Sequence, residues 1–205
     1  MKRKYLAFDI ETAKALPGGG RDWRDSRPIG ISCAAALLSD SDEPLLWYGV
    51  TGRKRPAARV TRSEARRMVN YLARQVQRGY TIVSWNGVGF DFDILAEESG
   101  MLKECQRLAG EHIDMMFYAV CVLGYGIGLD AAARGMKLQG KAEGICGALA
   151  PVLWAGGGWR EVLRGGRGPV LSDQQGLGGS QEPGQGGQLL LLSHAVCRHC
   201  AHPVS

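Results

Sequence analysis

KYLAFDIET, residues 4–12, is a short apolar run in which two acidic residues are separated by a single position. Its composition predicts a β-strand, and alternate side chains of a strand share a face. Asp9 and Glu11 would therefore stand side by side, roughly 6–7 Å apart at the backbone. Like charges at this spacing repel each other unless a cation neutralises them. Oxygen ligands without a nearby His or Cys suit Mg²⁺ or Mn²⁺, so the run predicts either a divalent-metal site or an ordinary edge strand with solvated acids.

A second acidic cluster, WNGVGFDFDIL at residues 85–95, follows a strand-like run at residues 80–84. The order predicts a strand, an Asn-Gly turn and a helix that begins near Asp91. Before this cluster, Thr61-x-x-Glu64 and an apolar stripe at helical spacing predict a helix that ends at Gly79. A strand that follows such a helix most simply lies parallel to the first strand, by a right-handed crossover. Asn86 and Asp91 would then reach the end of the sheet at which Asp9 stands.

Together, FDIET and WNGVGFDFDIL resemble the first two motifs of the DEDD superfamily of 3′–5′ exonucleases. The resemblance extends from about residue 4 to about residue 163, and it implies the RNase H-like α/β fold, with three layers and a mixed five-stranded sheet. It also implies hydrolysis of phosphodiester bonds at the 3′ end of single-stranded DNA or RNA. Relatives bind two Mg²⁺ or Mn²⁺ ions through carboxylates that correspond here to Asp9, Glu11 and Asp91, which are also the catalytic residues. The residues that correspond to substrate-binding positions are Thr12, Asn86, Phe90 and Lys141.

The last motif of this family is missing from the chain. Relatives carry a fourth Asp on a late helix, preceded by a Tyr or a His that orients the attacking water. No Tyr-x₃-Asp or His-x₄-Asp follows Asp114, although Asp114 itself corresponds to an Asp that supports the site in relatives without binding metal. The resemblance therefore leaves activity open. The alternatives are a non-catalytic nucleic-acid-binding domain and a protein-interaction module, both on the same fold.

A basic stretch at residues 53–78 contains nine Lys or Arg residues and a single acid, Glu64. Such a stretch is typical of an electrostatic guide for a polyanion such as nucleic acid. It is equally typical of a solvated helix face that contacts no ligand. The sequence does not decide between these two interpretations.

The C-terminal part of the chain differs in composition from the rest. Twelve glycines lie between residues 155 and 188, which predicts a domain over residues 1–163 and a Gly-rich, disordered tail over residues 164–205. Within the tail, Cys197-x-x-Cys200 is flanked by histidines and suggests zinc. The suggestion is weak, because no second ligand pair lies at a distance and four ligands this close would strain the geometry.

Composition limits the remaining function classes. The net charge of +5 is modest, and no apolar run approaches the ~20 residues of a transmembrane helix, so no membrane span is expected. The basic N-terminus lacks the apolar region of a secretory signal. Six scattered cysteines form no disulfide framework, and the sequence therefore predicts a cytoplasmic protein with reduced thiols.

Overall fold

A five-stranded mixed sheet forms the centre of the computed structural model, which describes residues 3–16, 22–53, 55–136 and 150–158. The strand order is β3-β2-β1-β4-β5. Strand β1 pairs antiparallel with β2 and parallel with β4, and the outer pairs are antiparallel β2–β3 and parallel β4–β5. The mixed five-stranded sheet that the sequence predicts is confirmed. The strands are β1 Lys4–Thr12, β2 Ile31–Leu38, β3 Leu45–Tyr48, β4 Tyr80–Ser84 and β5 Ile113–Asp114.

Six α-helices and one short 3₁₀ helix, Trp23–Ser26, lie in the described ranges. The predicted capping box is present in both directions, since the Thr61 side chain accepts from the Glu64 amide and the Glu64 side chain accepts from the Thr61 amide. The next helical region breaks at Gly100, whose φ of 68° lies in the left-handed region that favours glycine. The helices are α1 Arg62–Gln77, α2 Asp91–Ser99, α3 Leu102–Gly110, α4 Met115–Leu123, α5 Leu129–Gly135 and α6 Ala150–Ala155.

The main hydrophobic core lies on one face of β1. Leu6, Phe8 and Ile10 are buried there against α1, α2 and α3. The alternate residues of β1 face the other side of the sheet, where Tyr5 packs with Met115 at the start of α4. Because the two faces alternate, Asp9 and Glu11 stand on this second face, away from the main core. None of the helices in the described ranges is long and apolar enough to cross a membrane.

Several sequence predictions lie outside the described residues. They are the disordered tail at 164–205, the domain boundary at residue 163, the Cys197–Cys200 pair, and Lys141 as a substrate-binding residue.

Candidate active site

The acidic pair of β1 lies where the sequence predicts it. Asp9 is opposite Ala35 and Glu11 is opposite Cys33 in the antiparallel ladder with β2. Both acids are half-buried, whereas their neighbours Ile10 and Thr12 are buried on the other face. The Cys33 thiol shares the acidic face: burial raises its pKa, and the negative charges of Glu11 and Asp9 raise it further.

Asp91, the first residue of α2, brings a third carboxylate to this end of the sheet. The parallel ladder of β1 and β4 ends at Ala7 and Val83. Beyond that point the backbone amide of Ile10 donates to Asp91 Oδ1 at 3.1 Å. The Asp91 carboxylate thus accepts from a β1 amide beyond the last residue pair of the β1–β4 ladder. Asp91 is 3% exposed, so the sheet and α2 hold its carboxylate in one place.

The electrostatic environment of Asp91 is unfavourable for a carboxylate. Burial raises the pKa of Asp91 well above its usual value, and the negative charge of Asp9 raises it further. Glu11 adds a smaller effect in the same direction, while the hydrogen bond from the Ile10 amide partly opposes the rise. A nearby positive charge would relieve both the desolvation and the repulsion. The pair Asp9–Asp91 is therefore a centre that favours a cation.

The turn before Asp91 accounts for the spacing of the second motif. Asn86 has a φ of 66°, in the left-handed region that Asn tolerates better than most residues. A side chain at Gly87 would collide with that of Ser84, and a Cβ at Gly89 would lie 2.6 Å from Asn86 Oδ1. The two glycines allow a tight turn, so that α2 begins directly at Asp91.

Asp114 fixes this turn from the neighbouring strand. It caps α4 by accepting from the Met116 amide at 3.1 Å. The same carboxylate accepts from the backbone amides of Asn86 at 2.9 Å and Val88 at 3.2 Å. Asp114 is buried, and it connects the end of β5, the start of α4 and the turn that leads to Asp91. Its position agrees with the supporting role that the family resemblance implies.

Phe90 belongs to an aromatic and cationic cluster that the sequence does not predict. Trp23 packs edge-on against Phe90, with ring centroids 5.1 Å apart. The guanidinium groups of Arg24 and Arg27 lie 4.6 and 5.0 Å from the Trp23 ring centroid, and both arginines pair with Asp93. In the sequence, this cluster is marked only by a Trp between charged residues. Its partners lie more than 60 positions away, and local patterns do not reveal such contacts.

The remaining predicted substrate-binding residues have mixed surroundings. Thr12 is buried, and its hydroxyl donates to the Lys14 carbonyl at 2.8 Å. Asn86 is half-buried at the turn described above. Asp93, the second acid of its motif, is paired with Arg27 near the surface, whereas Asp91 is buried beside Asp9.

Part of the basic stretch is engaged within the fold. Arg62 and Arg66 donate to the Ser99 carbonyl at 3.4 and 3.0 Å, at the C-terminal end of α2. Arg59 forms an ion pair of 2.6 Å with the buried Glu98. Cations at a helix C-terminus complement the helix dipole and bind its last carbonyl groups. Arg59, Arg62 and Arg66 therefore have a structural role, which neither interpretation of the basic stretch includes.

The donor atoms suit a hard divalent cation, but their arrangement is incomplete. Carboxylate oxygens are the ligands that Mg²⁺ and Mn²⁺ prefer, and the raised pKa of Asp91 is the effect that such an ion would reverse. Across the described ranges, however, no group of three or more His, Cys, Asp or Glu side chains is arranged to hold a metal ion. Asp9 and Asp91 form the centre of the candidate site, and Glu11 stands next to them on β1.

Comparison with known proteins identifies the family. A family model described as the RNase H superfamily matches residues 48–161, just over half of the chain, and β1 lies before this match. No curated protein matches the sequence.

Solved structures resemble the chain at low sequence identity. The family B DNA polymerase of the hyperthermophilic archaeon Pyrobaculum calidifontis is 20% identical, with a TM-score of 0.48 over 75% of this chain and 21% of that one. An ExoI/SSB-Ct complex is 17% identical, with a TM-score of 0.40 over 76% and 40% of the two chains. E. coli Exonuclease I in complex with a 5cy-dT13 oligonucleotide is 14% identical, with a TM-score of 0.39 over 76% and 41%. The chain thus spans less than half the length of each of these structures.

Proposed function

Because this chain belongs to the RNase H superfamily, we propose that it is a metal-dependent 3′–5′ exonuclease-type domain acting at the 3′ ends of single-stranded nucleic acid. The observation that carries the proposal is the buried carboxylate of Asp91, fixed by the Ile10 amide and repelled by Asp9. Burial and the negative charge of Asp9 both raise the pKa of Asp91, as expected for a site that receives a cation.

Each proposed role follows from the position of a side chain. Asp9, Glu11 and Asp91 would hold the Mg²⁺ or Mn²⁺ ions. When bound, such ions supply a water acidic enough to give hydroxide near neutral pH, together with positive charge for the leaving oxygen. Asp91 is held in place by the Ile10 amide, and the turn before it is held by Asp114. Asn86 and Phe90, which lie in the turn just before Asp91, would contact the terminal nucleotide.

A non-catalytic nucleic-acid-binding domain is the second candidate. It is favoured by the lack of an assembled group of three metal-ligating side chains in the described part of the chain. The missing fourth-acid motif after Asp114 favours it as well. Such a domain would keep the fold and the binding surface but would not hydrolyse the bound strand.

The cleavage test uses single-stranded DNA and RNA oligonucleotides labelled at the 5′ end, with Mg²⁺ or Mn²⁺ and with EDTA. We expect metal-dependent shortening from the 3′ end with release of nucleoside 5′-monophosphates, lost in Asp91→Asn. Asp93→Asn is the matched control, because it changes an acid of the same helix that is paired with Arg27. Equal loss in both variants, or shortening that persists in EDTA, would contradict the proposal.

A binding measurement separates the two candidates. If the wild type binds the oligonucleotides in a salt-sensitive way but never shortens them, the non-catalytic domain is the correct assignment. If it neither binds nor shortens them, both nucleic-acid proposals fail. If Asp91 belongs to a metal site, Mn²⁺ should stabilise the fold by mass action, by about 2.7 kcal/mol at a concentration 100 times the Kd. The stabilisation should be lost in Asp91→Asn and retained in Asp93→Asn.

A further inference from the structure

Helix α4 exposes a continuous apolar surface. Phe117, Tyr118 and Val122 are 52%, 62% and 65% exposed. None of the nine residues of this fully described helix is buried. Tyr118, Cys121 and Val122 lie at positions i, i+3 and i+4 and therefore share one side of the helix. The exposed surface thus forms a stripe along the helix axis.

The segment that carries this stripe contains no charged side chain. Residues 115–128 contain no Asp, Glu, Lys, Arg or His, whereas a solvated surface helix normally carries charged side chains on its outer side. Further apolar side chains are exposed near both ends of the helix. Tyr125 is 62% exposed just after the helix, and Ile113 is exposed just before it. Val88 adjoins the start of α4, because its amide donates to Asp114, and its side chain is also exposed.

The size of the surface indicates what could cover it. Aromatic side chains present about 150–250 Å² each, so the exposed fractions of the aromatic and aliphatic residues of the stripe together leave on the order of 500 Å² uncovered. This is at the upper end of the apolar patches found on monomers. Two such patches in contact would bury about 1,000 Å² in total, which is the lower limit for a specific protein–protein interface.

We propose that α4 is a homodimer interface, in which two copies of this chain pair their α4 helices about a two-fold axis. A two-fold interface brings one patch against itself, so any charge near the axis faces its own copy. Residues 115–128 have no such charge, and self-pairing therefore involves no like-charge repulsion. The buried area predicts a dimer that dissociates on dilution. The proposal does not depend on nuclease activity, so it can fail without affecting the proposed function.

Analytical ultracentrifugation of the full chain, from about 1 to 100 µM, tests the proposal, since a weak dimer follows mass action. We expect the wild type to pass from monomer to dimer over this range, and Val122→Glu to be monomeric throughout. Leu102→Glu is the matched control, because Leu102 is 57% exposed on α3 rather than α4. Its dimer should be unchanged. A wild type that is monomeric throughout, or a dimer that persists in Val122→Glu, would overturn the proposal.

Cys121 allows a second, geometric test. It is exposed in the middle of the stripe, whereas Cys33 and Cys105 are buried. In a full-length background with Cys146, Cys197 and Cys200 changed to Ser, a short bismaleimide should link two copies through Cys121. The covalent dimer should form in the Leu102→Glu variant and be lost in Val122→Glu. A dimer in solution that gives no Cys121 crosslink would exclude the two-fold pairing of α4.

Discussion

Replacing Asp114 with Ala is expected to be the most destabilising single change around the candidate site. The carboxylate accepts hydrogen bonds of 2.9 Å from Asn86, 3.1 Å from Met116 and 3.2 Å from Val88. Ala removes the two carboxylate oxygens that accept these three hydrogen bonds, and with them the cap of α4. The change therefore affects both the turn that leads to Asp91 and the helix that carries the proposed interface.

The magnitude follows from the type of each lost contact. Loss of an Asp cap costs about 1 kcal/mol. Hydrogen bonds to a charged group contribute about 1.5–3 kcal/mol each, with the lower value appropriate where water can replace the acceptor. Because Asn86 is half-buried and Val88 is exposed, water can reach both amides in part. We expect a loss of about 3–4 kcal/mol in the free energy of unfolding.

Urea unfolding measured by circular dichroism would test this value against two controls. Asp114→Asn keeps one acceptor oxygen but directs an NH₂ group at one of the backbone amides, so it should cost about half as much. Asp22→Ala removes an exposed cap, since the Asp22 side chain accepts from the Arg24 amide at the start of the 3₁₀ helix. It should cost less than about 1 kcal/mol. If Asp114→Ala costs no more than Asp22→Ala, the role assigned to Asp114 is wrong.

Two further predictions concern the basic helix and a surface acid. Replacing both Arg62 and Arg66 with Gln should lower the free energy of unfolding by about 1–2 kcal/mol. The salt dependence of nucleic-acid binding should stay unchanged. A flatter salt dependence without loss of stability would contradict the structural role. The Tyr80 hydroxyl donates a hydrogen bond to Asp40 and lowers the pKa of that carboxyl. The stability that this hydrogen bond contributes to the fold is therefore complete above the usual pKa of 3.8, and it is lost as the pH falls through the lowered pKa of the folded state. Unfolding measured at decreasing pH should therefore show a smaller loss of stability in Tyr80→Phe than in the wild type. The difference should be less than about 1 kcal/mol, because Asp40 is half-exposed. An acid titration identical to that of the wild type would show that the hydrogen bond contributes nothing.

Local patterns were sufficient to predict strands β1 and β4 and the longest helix. The strand from Lys4 to Thr12 and the capping box at Thr61 both depend on contacts within a few residues of sequence. The parallel pairing of β1 and β4 followed from a general rule about crossovers rather than from any one residue.

The sequence predicted the acidic residues of the site but not the contacts that hold them in place. The family resemblance selected Asp91 over Asp93, and the structure gives a physical reason, because only Asp91 reaches the Ile10 amide beyond the end of the β4 ladder. Neither this hydrogen bond nor the packing of Trp23 on Phe90 has a signature in sequence spacing. Both join segments more than 60 positions apart, so they depend on the completed fold.

The position of Asp91 also explains why fold and activity can separate in this chain. Its carboxylate continues the hydrogen bonding of β1 where β4 ends, so it contributes to the sheet whether or not a metal ion is bound. The chain can therefore keep the acidic pair and the RNase H-like fold even if catalysis is lost with the missing fourth acid. Asn at position 91 keeps an acceptor oxygen for the Ile10 amide and removes only the charge. For this reason a loss of cleavage or of metal binding in Asp91→Asn reports on the charge of the site, whereas Asp91→Ala would remove the charge and the sheet contact together.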